Sequence, residues 1–213
     1  HYTPTKQTDK KLEAGNLLLL DSGAQYLDGT TDITRTIPLG NITPAMSEDF
    51  TLVLKAHIRL NSAVFPLKTT GARLDALARD VLWREGKNYN HGTGHGVGCF
   101  LNVHEGPVYI SSACNLPLMP HYVTSIEPGF YIENKYGIRI ENLVEVCPAK
   151  YPDFLSFKNL TLVPIDKRAL NKYLMTVEEI TWLNDYHREV YKQIAPHLRA
   201  EEKDWLQVAC APL

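Results

Sequence analysis

The chain has 213 residues, of which 44% are hydrophobic and 22% are charged, and its formal net charge is -2. This length and composition suit a globular protein with one sizeable core and one or at most two domains. The charges are nearly balanced and form no Lys/Arg cluster, which argues against a nucleic acid or anionic membrane partner. The apolar run Leu17 to Leu20 is far shorter than the roughly 20 residues of a membrane helix.

The four cysteines are too far apart to suggest a disulfide framework or a zinc knuckle. They lie at positions 99, 114, 147 and 210, and no two of them form a Cys-x-x-Cys pair. This pattern favours a reducing compartment.

The first predicted elements are two strands joined by a tight turn. Asn16 to Asp21 is apolar, Tyr26 to Gly29 has turn chemistry, and Thr30 to Ile37 alternates β-branched with polar residues. The resulting hairpin would bring Asp21 close to Asp32, although a bulge would shift the register by one residue.

Two helices are predicted next. Thr43 and Pro44 have the residue types of an N-cap and a first helical position, and the apolar residues from Phe50 to Val64 predict a largely buried helix. A second amphipathic pattern runs from Ala72 to Glu85, and Gly86 is placed to end that helix.

The segment from His91 to Gly98 is rich in both histidine and glycine. Its four alternating glycines do not suit a helix interior and predict backbone that approaches another segment closely. One histidine here would most often be structural. Because His91, His95 and His104 fall within fourteen residues, we expect these histidines to face a shared cavity.

Two later apolar segments carry carboxylates. A strand ends at Glu127, whose side chain we expect to point into the end of the sheet. The segment Ile138 to Val146 alternates and predicts one strand with Arg139, Glu141 and Glu145 on related faces. Taken alone, Glu141 is either an exposed-face carboxylate or a buried ligand whose charge a metal neutralises.

Five residues have the chemistry of metal ligands. They are Asp21, Asp32, His95, Glu127 and Glu141. Four carboxylates and one imidazole are what two hard divalent ions in a shared site require, so the set predicts hydrolysis by a metal-activated water.

The end of the chain predicts an amphipathic helix. Thr176 and Glu179 form a capping-box pattern, and apolar residues recur at helical spacing from Ile180 to Ile194. Stripes of this kind usually pack on their own domain.

Several segments, in chain order, resemble the motif series of the Xaa-Pro aminopeptidases, the aminopeptidase P branch of the pita-bread metallopeptidases. These segments are Asp21 to Tyr26, Asp28 to Thr36, His91 to Gly98, Glu127 to Gly129 and Gly137 to Asn142. The tail, with Trp182 to His187 and Trp205-Leu206, resembles the C-terminal extension of the cytosolic eukaryotic type. The resemblance implies a cytoplasmic protein whose tail takes part in a homodimer, so that the stripe could instead lie at a two-fold interface.

The resemblance implies an α+β pita-bread fold, in which helices cover a curved and mostly antiparallel sheet. Residues 1–165 would form the catalytic domain and residues 166–213 a helical extension. His1 to Pro4 resembles a segment that contributes an active-site histidine in this family, so His1 would contact substrate. The resemblance also implies that the chain starts inside its first half and lacks an N-terminal portion of the same protein.

The resemblance assigns a role to each predicted metal ligand. Asp21 would bind one ion, His95 and Glu127 would bind the other, and Asp32 and Glu141 would bridge the two. Manganese is the usual metal, and a water between the ions would be the nucleophile.

The same resemblance implies catalytic and substrate-binding roles. Glu127 would accept the proton of the water, while His104 and His91 would contact the scissile carbonyl and the proline-containing side of the substrate. Tyr131 and Arg139 would line or support the site. The substrates would be peptides with proline in second position, which lose their N-terminal residue.

Two alternatives remain from the sequence. One is a non-catalytic pita-bread module that binds peptides or proteins, although relatives of that kind normally lack ligands that are present here. The other is a prolidase-type dipeptidase, because prolidases and methionine aminopeptidases share the plan of five ligands. The segment from Asp21 to Tyr26 and the tail favour aminopeptidase P.

Overall fold

The computed structural model of the chain describes residues 5–99 and 102–213, so His1 and its predicted substrate contact lie outside the described residues. The described strands are β1 (Leu17–Tyr26), β2 (Gly29–Pro38), β3 (Val64–Pro66), β4 (Gly94–His95), β5 (Tyr109–Ile110), β6 (Val123–Ile126), β7 (Gly129–Ile132), β8 (Tyr136–Arg139), β9 (Asn142–Pro148) and β10 (Phe154–Asn159). The α-helices are α1 (Pro44–Asn61), α2 (Gly71–Trp83), α3 (Val177–Ile194) and α4 (Ala200–Ala209), with short 3-10 turns at Lys167–Ala169, Lys172–Leu174 and Ala195–His197.

The predicted hairpin is formed by β1 and β2. The strands pair antiparallel in a continuous register, in which Asp21 lies opposite Thr34 and Gly23 lies opposite Asp32. The two aspartates are therefore diagonal neighbours on one face, because side chains alternate between the faces of a strand.

Helix α1 begins as predicted but ends earlier. The Oγ1 atom of Thr43 accepts a hydrogen bond from the backbone N–H of Met46, and Pro44 occupies the first helical position. The helix ends at Asn61, so placing Val64 in it was wrong. Val64 instead begins β3, where it pairs with β10, since apolar β-branched residues suit a strand as well as a helix face.

The largest sheet has four antiparallel strands in the order β3, β10, β9, β6. The prediction of one strand from Ile138 to Val146 was wrong, because this segment is divided between β8, which pairs with β7, and β9, which pairs with β6 and β10. Glu141 lies at the division, and its backbone N–H donates to the carbonyl of Thr34. Glu145 does not lie in the same surroundings as Glu141; its carboxylate instead pairs with the exposed His121.

The C-terminal helices pack on the rest of the chain. Thr176 and Glu179 form the predicted capping box at the start of α3. Leu183, Tyr186 and Val190 of α3 are buried in one hydrophobic cluster with residues of α1 and β8. The stripe therefore packs on its own chain, whereas Trp205 of α4 is 65% exposed. Among the described residues, no helix has both the length and the apolar character needed to span a bilayer.

Candidate metal centre

The five predicted ligands meet in one place, although they come from separate elements. Asp21 and Asp32 project from the β1–β2 hairpin, His95 lies on β4, Glu127 directly follows β6, and Glu141 lies between β8 and β9. All five line a cleft of about 510 Å³.

Three overlapping triads have potential ligand atoms within 4.8 Å of one another. One triad is Asp21, Asp32 and Glu141, a second is His95, Glu127 and Glu141, and a third is Asp32, His95 and His104. Glu141 belongs to the first and second triads, which together contain all five predicted ligands. The geometry is thus compatible with two ions that share Glu141.

Glu141 shows why a cation fits this position. Its side chain is only 1% exposed, and one carboxylate oxygen, Oε2, accepts a hydrogen bond of 2.7 Å from Thr34. The other, Oε1, is buried and has no hydrogen-bond partner among the described residues. Burial, together with the charges of Glu127 and Asp32, raises the pKa of Glu141 to about 8. A divalent cation would provide a partner for Oε1 and hold the carboxylate ionised.

His95 is oriented as a ligand by its own backbone neighbourhood. Its Nδ1 lies 2.9 Å from the carbonyl of Gly96, so Nδ1–H donates there and Nε2 is the ring atom that faces the carboxylates. The Nε2 atom lies 3.2 Å from Glu127 and 3.4 Å from Asp32. Burial acts to lower the pKa of His95, but Asp32, the Gly96 carbonyl and the other carboxylates raise it overall.

The glycines around His95 make the close approach that was predicted. A Cβ atom on Gly94 would lie 2.0 Å from the carbonyl oxygen of Ser125, so β4 and the end of β6 are in direct backbone contact. The same Ser125 accepts a hydrogen bond from the His95 N–H and donates one to Glu127, each of 3.0 Å. The absence of side chains at this crossing therefore brings His95 and Glu127 together.

Four of the five residues predicted to contact substrate, all except His1, lie in the described part of the chain. His104 lines the cleft, with its ring centroid 4.1 Å from that of His95. Burial and the neighbouring His95 lower the pKa of His104. His91 is not part of the cleft lining, so the expectation of one shared cavity is met by His95 and His104 and not by all three histidines.

His91 belongs to a hydrogen-bonded chain that leads back to Asp21. Arg139 donates to the hydroxyl of Tyr131 and to the carboxylate of Asp21, at 2.8 Å and 2.5 Å. Because Tyr131 accepts from Arg139, its own proton can go to Nε2 of His91, which lies 2.8 Å away. The Nδ1 atom of His91 lies 2.7 Å from the Gly92 carbonyl, which is consistent with that tautomer.

Some supporting residues were missed from the sequence. Asp75 of α2 is buried and accepts a hydrogen bond of 2.5 Å from Thr93, and the carbonyl of Thr93 accepts one of 2.7 Å from the N–H of Glu127. A carboxylate on the apolar face of a predicted helix was the available signal for Asp75. Thr34, which binds Glu141, gave no such signal, because its β-branched side chain is typical of any strand.

The chain matches known proteins over its whole length. The family model of metallopeptidase family M24 matches residues 1–148, and that of the C-terminal region of peptidase M24 matches residues 153–213. The whole chain is 48% identical to Xaa-Pro aminopeptidase app-1 of Caenorhabditis elegans and 45% identical to the probable Xaa-Pro aminopeptidase P of Arthroderma gypseum.

Solved structures give the same result. The crystal structure of X-prolyl aminopeptidase from C. elegans, described as a cytosolic enzyme with a di-nuclear active site, matches the whole chain with a TM-score of 0.96. Prolidase from Pyrococcus furiosus, at 36% identity, matches 72% of the chain with a TM-score of 0.65 and itself has 43% of its length covered. The chain spans about a third of the length of the two aminopeptidase relatives, 36% and 35%. By its family match and by its α+β pita-bread fold, this chain belongs to metallopeptidase family M24.

Proposed function

We propose that this chain forms the metal-binding part of an Xaa-Pro aminopeptidase, which removes the N-terminal residue from peptides with proline in second position. The observation that carries the proposal is the pair of triads that share Glu141 and together contain all five ligands. The match to the C. elegans enzyme over the whole chain supports the proposed substrate class.

We assign Asp21 to one ion, His95 and Glu127 to the other, and Asp32 and Glu141 to a bridging position. Two bound divalent ions would supply the Lewis acidity that activates a water and stabilises charge on the peptide carbonyl. We further propose that they are manganese ions, which the predominance of oxygen ligands suits.

The remaining roles concern the protein's own side chains. Glu127 would accept the proton of the attacking water, because its carboxylate is held towards the cleft by Ser125. His104, at the cleft wall, would contact the scissile carbonyl. His91, Tyr131 and Arg139 would bind the proline-containing side of the peptide as one hydrogen-bonded unit. His1 stays a proposed further contact.

The resemblance of the tail supports a homodimer formed through residues 166–213, with residues 1–165 as the catalytic part. The cytosolic description of the C. elegans enzyme and the unpaired cysteines support a cytoplasmic location.

A prolidase-type dipeptidase is the second candidate, because its relatives share the fold over most of the chain. The observation in its favour is the match to P. furiosus prolidase over 72% of the chain. The complete match to the C. elegans enzyme, at a higher TM-score, favours the aminopeptidase. A non-catalytic module is disfavoured because all five ligand positions are filled by residues that can bind metal.

The substitution Asp32→Asn in the full-length protein tests the proposal. We expect it to abolish both bound metal and hydrolysis of an Xaa-Pro peptide, because a bridging carboxylate serves both ions. Metal content and hydrolysis are measured with and without added manganese.

The matched control is Asp28→Asn in the exposed turn of the same hairpin, which should leave metal content and activity unchanged. If the Asp32 variant kept full activity, the assignment would be wrong. Cleavage of dipeptides but not of longer Xaa-Pro peptides by the unmodified protein would favour the prolidase alternative.

A further inference from the structure

Arg35 lies beneath the metal centre and is only 6% exposed. It follows Thr34 on β2, and each of its side-chain partners is a neutral oxygen: the carbonyls of Thr34, Glu141, Val163 and Pro164, the side-chain oxygen of Asn142 and the hydroxyl of Tyr186. A buried guanidinium satisfied in this way acts as a rigid fork, because its donors lie in one plane.

The Arg35 fork holds the backbone at Glu141, the ligand that the first and second triads share. Arg35 donates to the carbonyl of Glu141 at 2.6 Å and to the Asn142 side chain at 2.8 Å. These residues lie where β8 ends and β9 begins, so Glu141 belongs to neither strand. The position of Glu141 therefore depends on Arg35 and on two hydrogen bonds with Thr34. The Thr34 hydroxyl donates to the Glu141 carboxylate, and the Glu141 backbone N–H donates to the Thr34 carbonyl.

Tyr186 connects this fork to helix α3. Its hydroxyl accepts from Arg35 at 3.0 Å and lies 2.9 Å from the carbonyl of Val163 and 3.0 Å from that of Thr161. Trp182, one turn earlier, stacks on the Tyr186 ring with a centroid distance of 5.4 Å. The Tyr186 side chain is thus held both by hydrogen bonds at its hydroxyl and by stacking on its ring.

We propose that Tyr186 and Arg35 are positioning residues for Glu141, so that the C-terminal helix α3 sets the metal affinity of the centre. The proposal rests on the proposed function, because it assumes that Glu141 binds metal. Without the Tyr186 hydroxyl, the terminal nitrogen of Arg35 keeps the Asn142 side chain and the Val163 carbonyl as acceptors but loses a third. The carbonyls of Thr161 and Val163 lose the Tyr186 donor, so the 161–163 segment and the fork that binds it are free to shift together. Any shift of the fork moves the Glu141 backbone that it holds.

The test is Tyr186→Phe in the full-length protein, compared with Tyr191→Phe. Tyr191 lies on the same helix and is partly buried against the same hydrophobic cluster, so the control removes a hydroxyl from the same helix. Manganese binding is measured by calorimetric titration of the metal-free protein, together with the Tm with and without manganese.

We expect Tyr186→Phe to weaken manganese binding by about 10- to 100-fold, as is typical when a residue that orients a ligand is changed. The rise in Tm caused by manganese should shrink in this variant and be retained in Tyr191→Phe. Arg35→Lys, which keeps the charge but not the planar fork, should weaken manganese binding at least as much.

A purely structural role would give a different pattern, in which Tm falls equally with and without metal and the manganese Kd is unchanged. That pattern, with an unmodified protein that binds two ions, would overturn the positioning role and leave the proposed function standing. An unmodified protein that binds no manganese, magnesium, zinc or cobalt would overturn both.

Discussion

At the scale of single residues, the unpaired Oε1 atom of Glu141 is the strongest indication of a metal. Buried carboxylate oxygens are normally hydrogen-bonded, but this one has no partner in the part of the chain that the structure describes. Its neighbours Glu127 and Asp32 add negative charge. The unfavourable electrostatics of three close carboxylates would become favourable with two divalent cations among them.

His104 offers a sharp test at this scale, because it belongs to a triad with Asp32 and His95 but is proposed to contact substrate. We expect His104→Ala to leave metal content close to normal and to lower turnover by about 10²-fold or more. Metal content and the rate of Xaa-Pro hydrolysis are measured on the same sample. The exposed His121 provides the control, since His121→Ala should change neither. Equal loss of metal and activity in His104→Ala would show that His104 is a metal ligand instead.

The sequence could predict the identity of the ligands but not the residues that orient them. Carboxylates and histidines are unusual in apolar or glycine-rich segments, so Asp21, His95 and Glu127 were visible as candidates. Arg35 was not, because a polar residue in an alternating strand is expected on the exposed face, and its partners come from distant parts of the chain.

At the scale of elements, the site depends on departures from regular structure. The gap between β8 and β9 frees Glu141 from a strand ladder, and the glycines near β4 allow one backbone to lie against another. The glycine contacts were predictable, since alternating glycines have few other uses. The gap was not predicted, although the consecutive polar residues Glu141 and Asn142 interrupt the alternation of apolar and polar residues there.

Gly94→Ala tests the backbone contact between β4 and β6. The new methyl group would overlap the Ser125 carbonyl, so we expect the free energy of unfolding to fall by about 1–3 kcal/mol, with weaker metal binding. Gly29→Ala is the control, because a Cβ atom there meets nothing within 4 Å and should change stability by no more than about 0.5 kcal/mol. Urea unfolding of the metal-free proteins gives both values. Equal losses in the two variants would contradict the proposed overlap.

At the scale of the whole molecule, two buried histidines link stability to pH. Burial, with the positive charge of Arg35, lowers the pKa of His57 to about 3, and burial with Lys167 and Arg35 lowers that of His187 to about 4. The unfolded chain, with a histidine pKa near 6.5, binds these protons first as the pH falls. The stability that these two neutral histidines contribute is therefore fully present above about pH 6.5 and is lost progressively below it.

We expect each of these histidines to cost about 2 kcal/mol of stability between pH 7 and pH 5. The variant His57→Leu should reduce the loss over this range by that amount, whatever its stability at pH 7. Urea unfolding of the metal-free protein at both pH values measures the difference. An unchanged loss in His57→Leu would mean that His57 takes up a proton in the folded protein.

The hydrophobic cluster that joins α1, β8 and α3 has a consequence for how the protein is made. Phe50 and Leu54 of α1 are among the first apolar residues of this cluster to leave the ribosome, and Leu183, Val190 and Leu206 are among the last. Synthesis proceeds at about 5–20 residues per second, so the apolar face of α1 stays uncovered for several seconds while most of the chain is translated. Until α3 and α4 cover it, this face is an apolar surface of the kind that makes incomplete chains prone to aggregate.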